Sequence, residues 1–126
     1  VGTAVTNQYL YKTMPYDSLK SFAPVALVGE VANVLAVHPS FPAKTLKEFV
    51  DLAKAKPGGI NFASASTSQL VSTEVLAGMT GIKLTNVPYK SGPAAMTDLI
   101  AGVVQMFSAD FAVMLAEVRR GETVRK

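Results

Sequence analysis

The sequence predicts one α/β domain with a mainly parallel sheet and helices on both faces. The chain has 126 residues, 49% of them are apolar, and short apolar runs alternate with segments of helical periodicity. Four successive strand-then-helix units favour right-handed crossovers, so all four strand-to-helix turns are expected at one edge of the sheet. Ligands of such sheets bind outside the carboxyl ends of the strands.

The N-terminal part, residues 1–24, has the least regular pattern, and two short apolar runs follow it. Thr3 and Asn7 belong to a polar turn, and Pro15 interrupts the pattern that follows. The runs Pro24–Gly29 and Asn33–Val37 are rich in Val and Leu and are bounded by Pro or Gly, which is typical of buried strands. The sequence therefore predicts two strands here.

The first helix start is marked by a capping box. Thr45 and Glu48 have the spacing at which the threonine hydroxyl accepts from the third residue's N–H while the glutamate reaches back to the cap. Apolar residues then recur at helical spacing and share one face of the predicted helix. They are Leu46, Phe49, Val50 and Ala53.

Three further units follow in the same order. A strand from Ile60 leads to a helix whose Val71, Val75 and Met79 share one face and are expected to pack inward. The next strand, Lys83–Val87, precedes a helix that begins at Pro93 and that Gly102 ends. The last strand, Val103–Phe107, is followed by Asp110 as the expected cap of the last helix.

The turn after the Ile60 strand is rich in hydroxyls, which come from Ser64, Ser66, Thr67 and Ser68. The first N–H groups of a helix lack intrahelical partners, and its dipole is positive at that end, so such a turn suits an anion. Alternatively, one hydroxyl caps the helix and the others are solvated. Convergence with the turns Pro88–Gly92 and Ser108–Asp110 favours a site for an anion or a polar small molecule.

Composition excludes several function classes. The net charge is +3 with scattered basic residues, which does not indicate a nucleic-acid partner. There are no cysteines, and His38, the single histidine, has no second ligand or carboxylate at motif spacing, so a structural or surface role is expected. Glycine-rich phosphate motifs are absent, so no nucleotide cofactor is indicated, and no apolar run has the length of a membrane span.

Several collinear segments together resemble the Bug-type extracytoplasmic solute receptors of tripartite tricarboxylate transporters. They are Pro15–Asp17, Phe22–Val25, Asn33–Ser40, Pro42–Thr45, Ala53–Gly58, Asn61–Ser64, Val87–Lys90 and Thr97–Gly102. The resemblance implies a secreted periplasmic receptor with the type II periplasmic binding protein fold. It implies small carboxylate ligands, membrane transporter subunits as partners and no chemistry of its own. Residues 1–29 would be a lead-in and hinge segment from the first domain, and residues 30–126 the second domain.

The resemblance also implies a set of ligand-binding positions. They are Thr3, Asn7, Ser64, Ser66, Thr67, Ser68, Pro88, Tyr89 and Asp110. The chain departs from the family at two points. Its hydroxyl turn is shorter, lacks glycine and continues into Gln69 and Leu70 in place of a His-Leu pair, and Ser108 stands where the family usually has Asp.

Other interpretations remain open at this point. A small α/β enzyme acting on an acidic substrate would use Asp110 or Lys90 as acid or base. The sequence is equally compatible with roles that involve no ligand contact: Tyr89 as a wall residue that packs on the next helix, and Lys90 as a solvated charge. The chain is also expected to begin inside a longer or processed protein and to self-associate, with the uncharged segment Phe22–Val28 as the contact or exchanged element.

Overall fold

The structure is a computed structural model that describes residues 9, 11–17 and 20–119. The chain divides into two compact units, Val1–Glu30 and Val31–Lys126. In the first unit the carbonyl of Asp17 accepts from the N–H of Ser21 at 2.9 Å, which closes a turn. The ring of Phe22 meets that of Tyr16 edge to face, with centroids 5.3 Å apart.

The predicted strand Pro24–Gly29 is wrong. These residues have no regular structure, and Val25 and Val28 are 97% and 98% exposed. A strand needs an edge to pair with, and none of the described residues supplies one to this segment. A short apolar run is therefore not sufficient evidence for a strand, because the segment also needs a neighbouring strand to pair with.

In residues 31–119, the described part of the second unit, one four-stranded sheet is combined with four helices. The elements follow in the order β1 (Asn33–Val37), α1 (Leu46–Ala55), β2 (Asn61–Ser64), α2 (Thr67–Thr80), β3 (Thr85–Pro88), α3 (Gly92–Ile100), β4 (Met106–Asp110) and α4 (Phe111–Arg119). The spatial order of the strands is β1-β4-β2-β3. Strands β4, β2 and β3 are parallel, so the predicted mainly parallel sheet is confirmed.

The direction of β1 corrects one expectation. This strand is antiparallel to β4, with Asn33 opposite Asp110 and Val37 opposite Met106. The chain therefore leaves β1 at the edge where the other strands begin. Three of the four strand-to-helix turns share one edge, and the turn that leads to α1 does not.

Helices cover both faces of the sheet, as predicted. Alternation along the strands sends Phe62 and Met106 to a core with Phe49 and Ala53 of α1 and Ala77 of α2. Ala63 and Phe107 point to the other core, which contains residues of α3 and α4. These are Ala95, Met96, Leu99 and Met114.

The inward face of α2 differs from the prediction. Val75 and Met79 are 54% and 83% exposed, and Val71 is also exposed, whereas Thr73 and Ala77 are buried. Thr73 can be buried because its hydroxyl donates to the carbonyl of Gln69 at 2.9 Å. The exposed residues and the buried residues of α2 recur at the same helical spacing, so periodicity could not show which set faces the sheet.

Strand β4 begins three residues later than predicted. The N–H groups of Val103 and Val104 donate to the carbonyl of Asp98, which keeps both residues in the turn after α3. Gly102 has φ 76° there, the left-handed region that favours glycine. The side chain of Gln105 then accepts from the N–H of Asn61 at 3.0 Å and ties this turn to β2.

His38 lies at the edge of the sheet where β4 begins, and it has a structural role. Its Nδ1 accepts from the N–H of Ser40 at 3.2 Å, which leaves Nε2 to donate to the carbonyl of Ile100 at 3.2 Å. In the described ranges no three His, Cys, Asp or Glu residues are grouped to hold a metal ion. Within the same ranges no helix has the length and apolarity that a membrane crossing requires.

Candidate functional site

The carboxyl ends of the three parallel strands form one edge, which we call the binding edge. Ser64 of β2 pairs in register with Pro88 of β3. Ala63 pairs with Phe107, which places Ser64 level with Ser108 of β4. Helices α2, α3 and α4 each begin within a few residues of these strand ends, so three helix N-termini lie at the binding edge.

The start of α2 supplies donors at this edge. Ser66 is the N-cap, in an extended conformation, and its Oγ accepts from the N–H of Gln69 at 3.3 Å. The hydroxyls of Ser66 and Ser68 are 3.0 Å apart. Within the described part of the chain no group accepts from the N–H groups of Thr67 and Ser68. Two backbone donors and one hydroxyl hydrogen, the one not used between Ser66 and Ser68, are therefore available together.

Gln69 holds this turn closed, a role that we did not predict. Its Oε1 accepts from the N–H of Ala65 at 2.9 Å. Its carbonyl accepts from the hydroxyls of Ser72 at 3.0 Å and Thr73 at 2.9 Å. The signal was present in the sequence, because Ser66 and Gln69 have the same capping-box spacing as Thr45 and Glu48.

A polar floor lies beneath the first turns of α2. Ser64 is 7% exposed, and its hydroxyl donates to Oδ1 of Asn86 at 2.7 Å. Ser108 is 6% exposed, and its hydroxyl is 3.5 Å from that of Ser72. The structure thus places Ser64 inside this floor, whereas Ser66 and Ser68 are exposed at the edge.

Pro88 and Tyr89 lie on the β3 side of the binding edge. Pro88 is exposed at the end of the strand, and the N–H of Tyr89 donates to the carbonyl of Ser64 at 2.8 Å. The Tyr89 ring packs against the core under α3, and its hydroxyl donates to Oδ2 of Asp98 at 2.7 Å. Burial, followed by the hydrogen bond to Asp98 and the charge of that carboxylate, raises the pKa of Tyr89 to about 12.

Asp110 lies on the β4 side of the binding edge. It is the exposed last residue of β4 and directly precedes α4. It faces Asn33, the first residue of β1. The remaining two predicted site residues, Thr3 and Asn7, lie outside the described residues. The structure therefore brings seven of the nine predicted positions to one edge or directly beneath it.

The helix starts at this edge share an electrostatic property. The first turns of α2, α3 and α4 contain no acidic residue, whereas the first turn of α1 contains Glu48. The N-cap of α3, Ser91, makes no capping bond with its side chain, so its hydroxyl adds a further donor. The positive ends of these helix dipoles are therefore not neutralised from within their own first turns.

Comparisons with known proteins agree with this geometry. The family model described as tripartite tricarboxylate transporter family receptor (TctC) matches residues 1–125. Protein BugT of Bordetella pertussis is 33% identical over 114 residues, which are 89% of this chain and 35% of that protein. The chain spans about a third of the length of the curated relatives it matches.

Solved structures give the same result. A protein from R. palustris, solved with adipate, is 29% identical with a TM-score of 0.78, over 91% of this chain and 39% of that chain. MatC from Rhodopseudomonas palustris, solved with bound malate, is 25% identical with a TM-score of 0.82, over 98% of this chain and 43% of that chain. The resemblance found in the sequence and the expected periplasmic binding protein fold are both confirmed.

Proposed function

The chain belongs to the tripartite tricarboxylate transporter receptor family, and we propose that its second unit captures a small carboxylate for such a transporter. The observation that supports this most is the binding edge, where three helix N-termini without acidic first-turn residues meet exposed hydroxyls. Malate and adipate, the ligands of two similar proteins, are dicarboxylates. Backbone N–H groups and helix dipoles bind such anions without any lysine or arginine.

Each predicted position has a distinct proposed role. The N–H groups of Thr67 and Ser68 donate to one carboxylate, together with the serine hydroxyl of the Ser66–Ser68 pair that does not donate to its neighbour. Ser64 supports the turn from the floor, and Pro88 and Tyr89 form a wall. Asp110 accepts from the hydroxyl group of a ligand that has one, as malate does, and does not contact a ligand carboxylate, because two carboxylates repel each other. Thr3 and Asn7 would contribute from the N-terminal segment.

We extend the proposal to the whole protein of which this sequence forms part. Residues 1–29 are a lead-in and hinge segment from a first domain, and residues 30–126 form the second ligand-binding domain. The protein works in the periplasm and delivers its ligand to membrane transporter subunits. It has no chemistry of its own, which fits the position of His38 away from the binding edge.

Calorimetric titration of the 126-residue chain tests the carboxylate site. Malate and adipate should bind, and adipamide, the uncharged diamide of the same length as adipate, should not. Affinity should fall as salt is added, because exposed charges are screened. Equal binding of adipate and adipamide would reject a charge-selective site. Recovery of both acids unchanged after long incubation separates a receptor from the enzyme alternative.

Self-association stays a prediction. Phe22, Val25 and Val28 are exposed in an apolar segment without regular structure or charged residues, and such segments can pair with other chains. Light scattering over a range of concentrations should show dimers or larger species. A 13.3 kDa monomer at the highest concentration would contradict this. Deleting residues 1–21 should weaken the association if the N-terminal segment is exchanged between chains.

A further inference from the structure

We propose that Gln69 determines the charge selectivity of the carboxylate site, because its neutral amide performs a structural task that a carboxylate performs elsewhere in the chain. The inference rests on the proposed function and names a residue outside the predicted ligand set. It concerns the third residue of α2, which lies in the same first turn as the open N–H groups of Thr67 and Ser68.

The hydrogen bonds of Gln69 fix the orientation of its amide. The N–H of Ala65 can only donate, so the side-chain atom 2.9 Å from it must be the oxygen, Oε1. Within the described residues no acceptor takes the two hydrogens of Nε2. The side chain thus uses its acceptor to close the turn, and its amide hydrogens are not needed for this task.

The start of α1 has the same capping hydrogen bonds, but its third residue is a charged glutamate and not a neutral glutamine. There the N–H of Glu48 donates to Oγ1 of Thr45 at 3.2 Å, and Oε2 of Glu48 accepts from the N–H of Lys44 at 2.6 Å. In both helices the third residue bonds to the cap hydroxyl and to the N–H before the cap. A glutamate at the third position of a helix can therefore make the capping hydrogen bonds that Gln69 makes.

The difference between the two caps is the charge. A glutamate in the first turn stabilises a helix because it neutralises the positive end of the dipole. The same charge at residue 69 would lie within a turn of the N–H groups that are to receive the ligand. A neutral amide closes the turn while leaving the positive end of α2 to an external anion. Helix α1 thus keeps the extra stability that a first-turn glutamate provides, and α2 lacks it.

The test is Gln69→Glu with Glu48→Gln as its matched control. Gln69→Glu keeps the acceptor for the N–H of Ala65, so the circular dichroism spectrum and melting temperature should be retained or improved. Its affinity for adipate should fall by about tenfold or more, because unscreened like charges repel strongly over a few ångströms. Glu48→Gln should lower the melting temperature slightly and leave the affinity for adipate unchanged.

A second variant keeps the test decisive if Gln69→Glu disturbs the turn. Ser68→Glu also adds a first-turn carboxylate, but it removes the Ser68 hydroxyl, so Ser68→Gln is its neutral control. The glutamate variant should bind adipate about tenfold more weakly than the glutamine variant. A structural defect would weaken malate, adipate and singly charged butyrate alike, whereas charge repulsion weakens the dianions more. The role of Gln69 would be overturned, and the proposed function would stand, if Gln69→Glu and Ser68→Glu both fold and both bind adipate with an affinity within twofold of that of the unmodified chain. Absence of binding by the unmodified chain would overturn the proposed function as well.

Discussion

Helices α1 and α2 begin with the same hydrogen bonds and have different uses. Thr45 and Glu48 at one start, and Ser66 and Gln69 at the other, satisfy the same backbone groups. The first start follows a strand that ends away from the binding edge and carries an acid, and the second follows a strand that ends at the edge and carries an amide. Capping geometry therefore specifies where a helix begins, and under our proposal the charge of its third residue determines whether the positive end stays open to a ligand.

The two helices also differ in how they are held. Helix α1 buries Phe49, which is 2% exposed and borders an apolar cavity of about 220 Å³ beside β1. The first turns of α2 lie over the hydroxyls of Ser64 and Ser108 and bury Thr73. Apolar packing tolerates little rearrangement, whereas hydroxyl contacts can adjust when a ligand arrives. The contrast suits a structural helix and a binding helix.

Phe49→Ala should give the largest change in stability. Removing a fully buried phenylalanine costs about 3–5 kcal/mol through lost burial and the resulting cavity. Urea denaturation should show this loss, and any folded fraction should still bind adipate, since α1 does not contribute to the binding edge. A cost below about 1 kcal/mol would show that packing does not hold α1.

The paired cap variants Thr45→Ala and Ser66→Ala come next. Each removes a side-chain acceptor from a helix N-terminus, so each should lower the free energy of unfolding by about 0.5–2 kcal/mol. Adipate affinity should fall in Ser66→Ala and stay constant in Thr45→Ala. The comparison between the caps would fail if both variants changed the affinity equally, or if neither changed the denaturation midpoint.

Much of the fold could be predicted from the sequence because its signals are local. The capping box at Thr45 and the apolar spacing after it specify α1 without reference to the rest of the chain. The direction of β1 is not local information, because a short strand with four apolar residues has the same pattern whether it pairs parallel or antiparallel. The inward face of α2 was missed for a related reason. A buried Thr73 is acceptable once its hydroxyl bonds to its own helix.

The sequence predicted the location of the candidate site but not all of its contacts. The hydroxyl turn and the strand ends that carry Pro88 and Asp110 could be located, since parallel strands bring their carboxyl ends together. The bond from Ser64 to Asn86 could not, because it joins residues 22 apart through strand register. Gln69 could have been found from its spacing to Ser66, a pattern already recognised at Thr45 and Glu48.

Tyr89→Phe should have a smaller effect that depends on pH. It removes one hydrogen bond to Asp98, worth about 0.5–1.5 kcal/mol at a half-buried position. Because the folded pKa is raised from 10.0 to about 12, this contribution is full below pH 10 and is lost as pH rises from 10 to 12. Ultraviolet titration should show one late phenolate that the variant lacks. Ionisation of Tyr89 near pH 10 in the unmodified chain would contradict this.

Val75→Ser should have the smallest effect and tests which face of α2 is inward. Val75 is 54% exposed, so the change should alter the unfolding free energy by no more than about 0.5 kcal/mol. Ala77→Ser, on the buried face of the same helix, is the matched control and should cost clearly more. The opposite ranking in thermal denaturation would restore the inward face that the sequence predicted.

The most direct test of the central claim compares both helix starts in one sample. In a two-dimensional ¹H–¹⁵N NMR titration with adipate, the amide signals of Thr67, Ser68 and Gln69 should move first and saturate together. The amide signals of Lys47 and Glu48, which belong to the matched cap, should stay in place. Equal shifts at the two helix starts, or shifts confined to residues 119–126, would contradict the account.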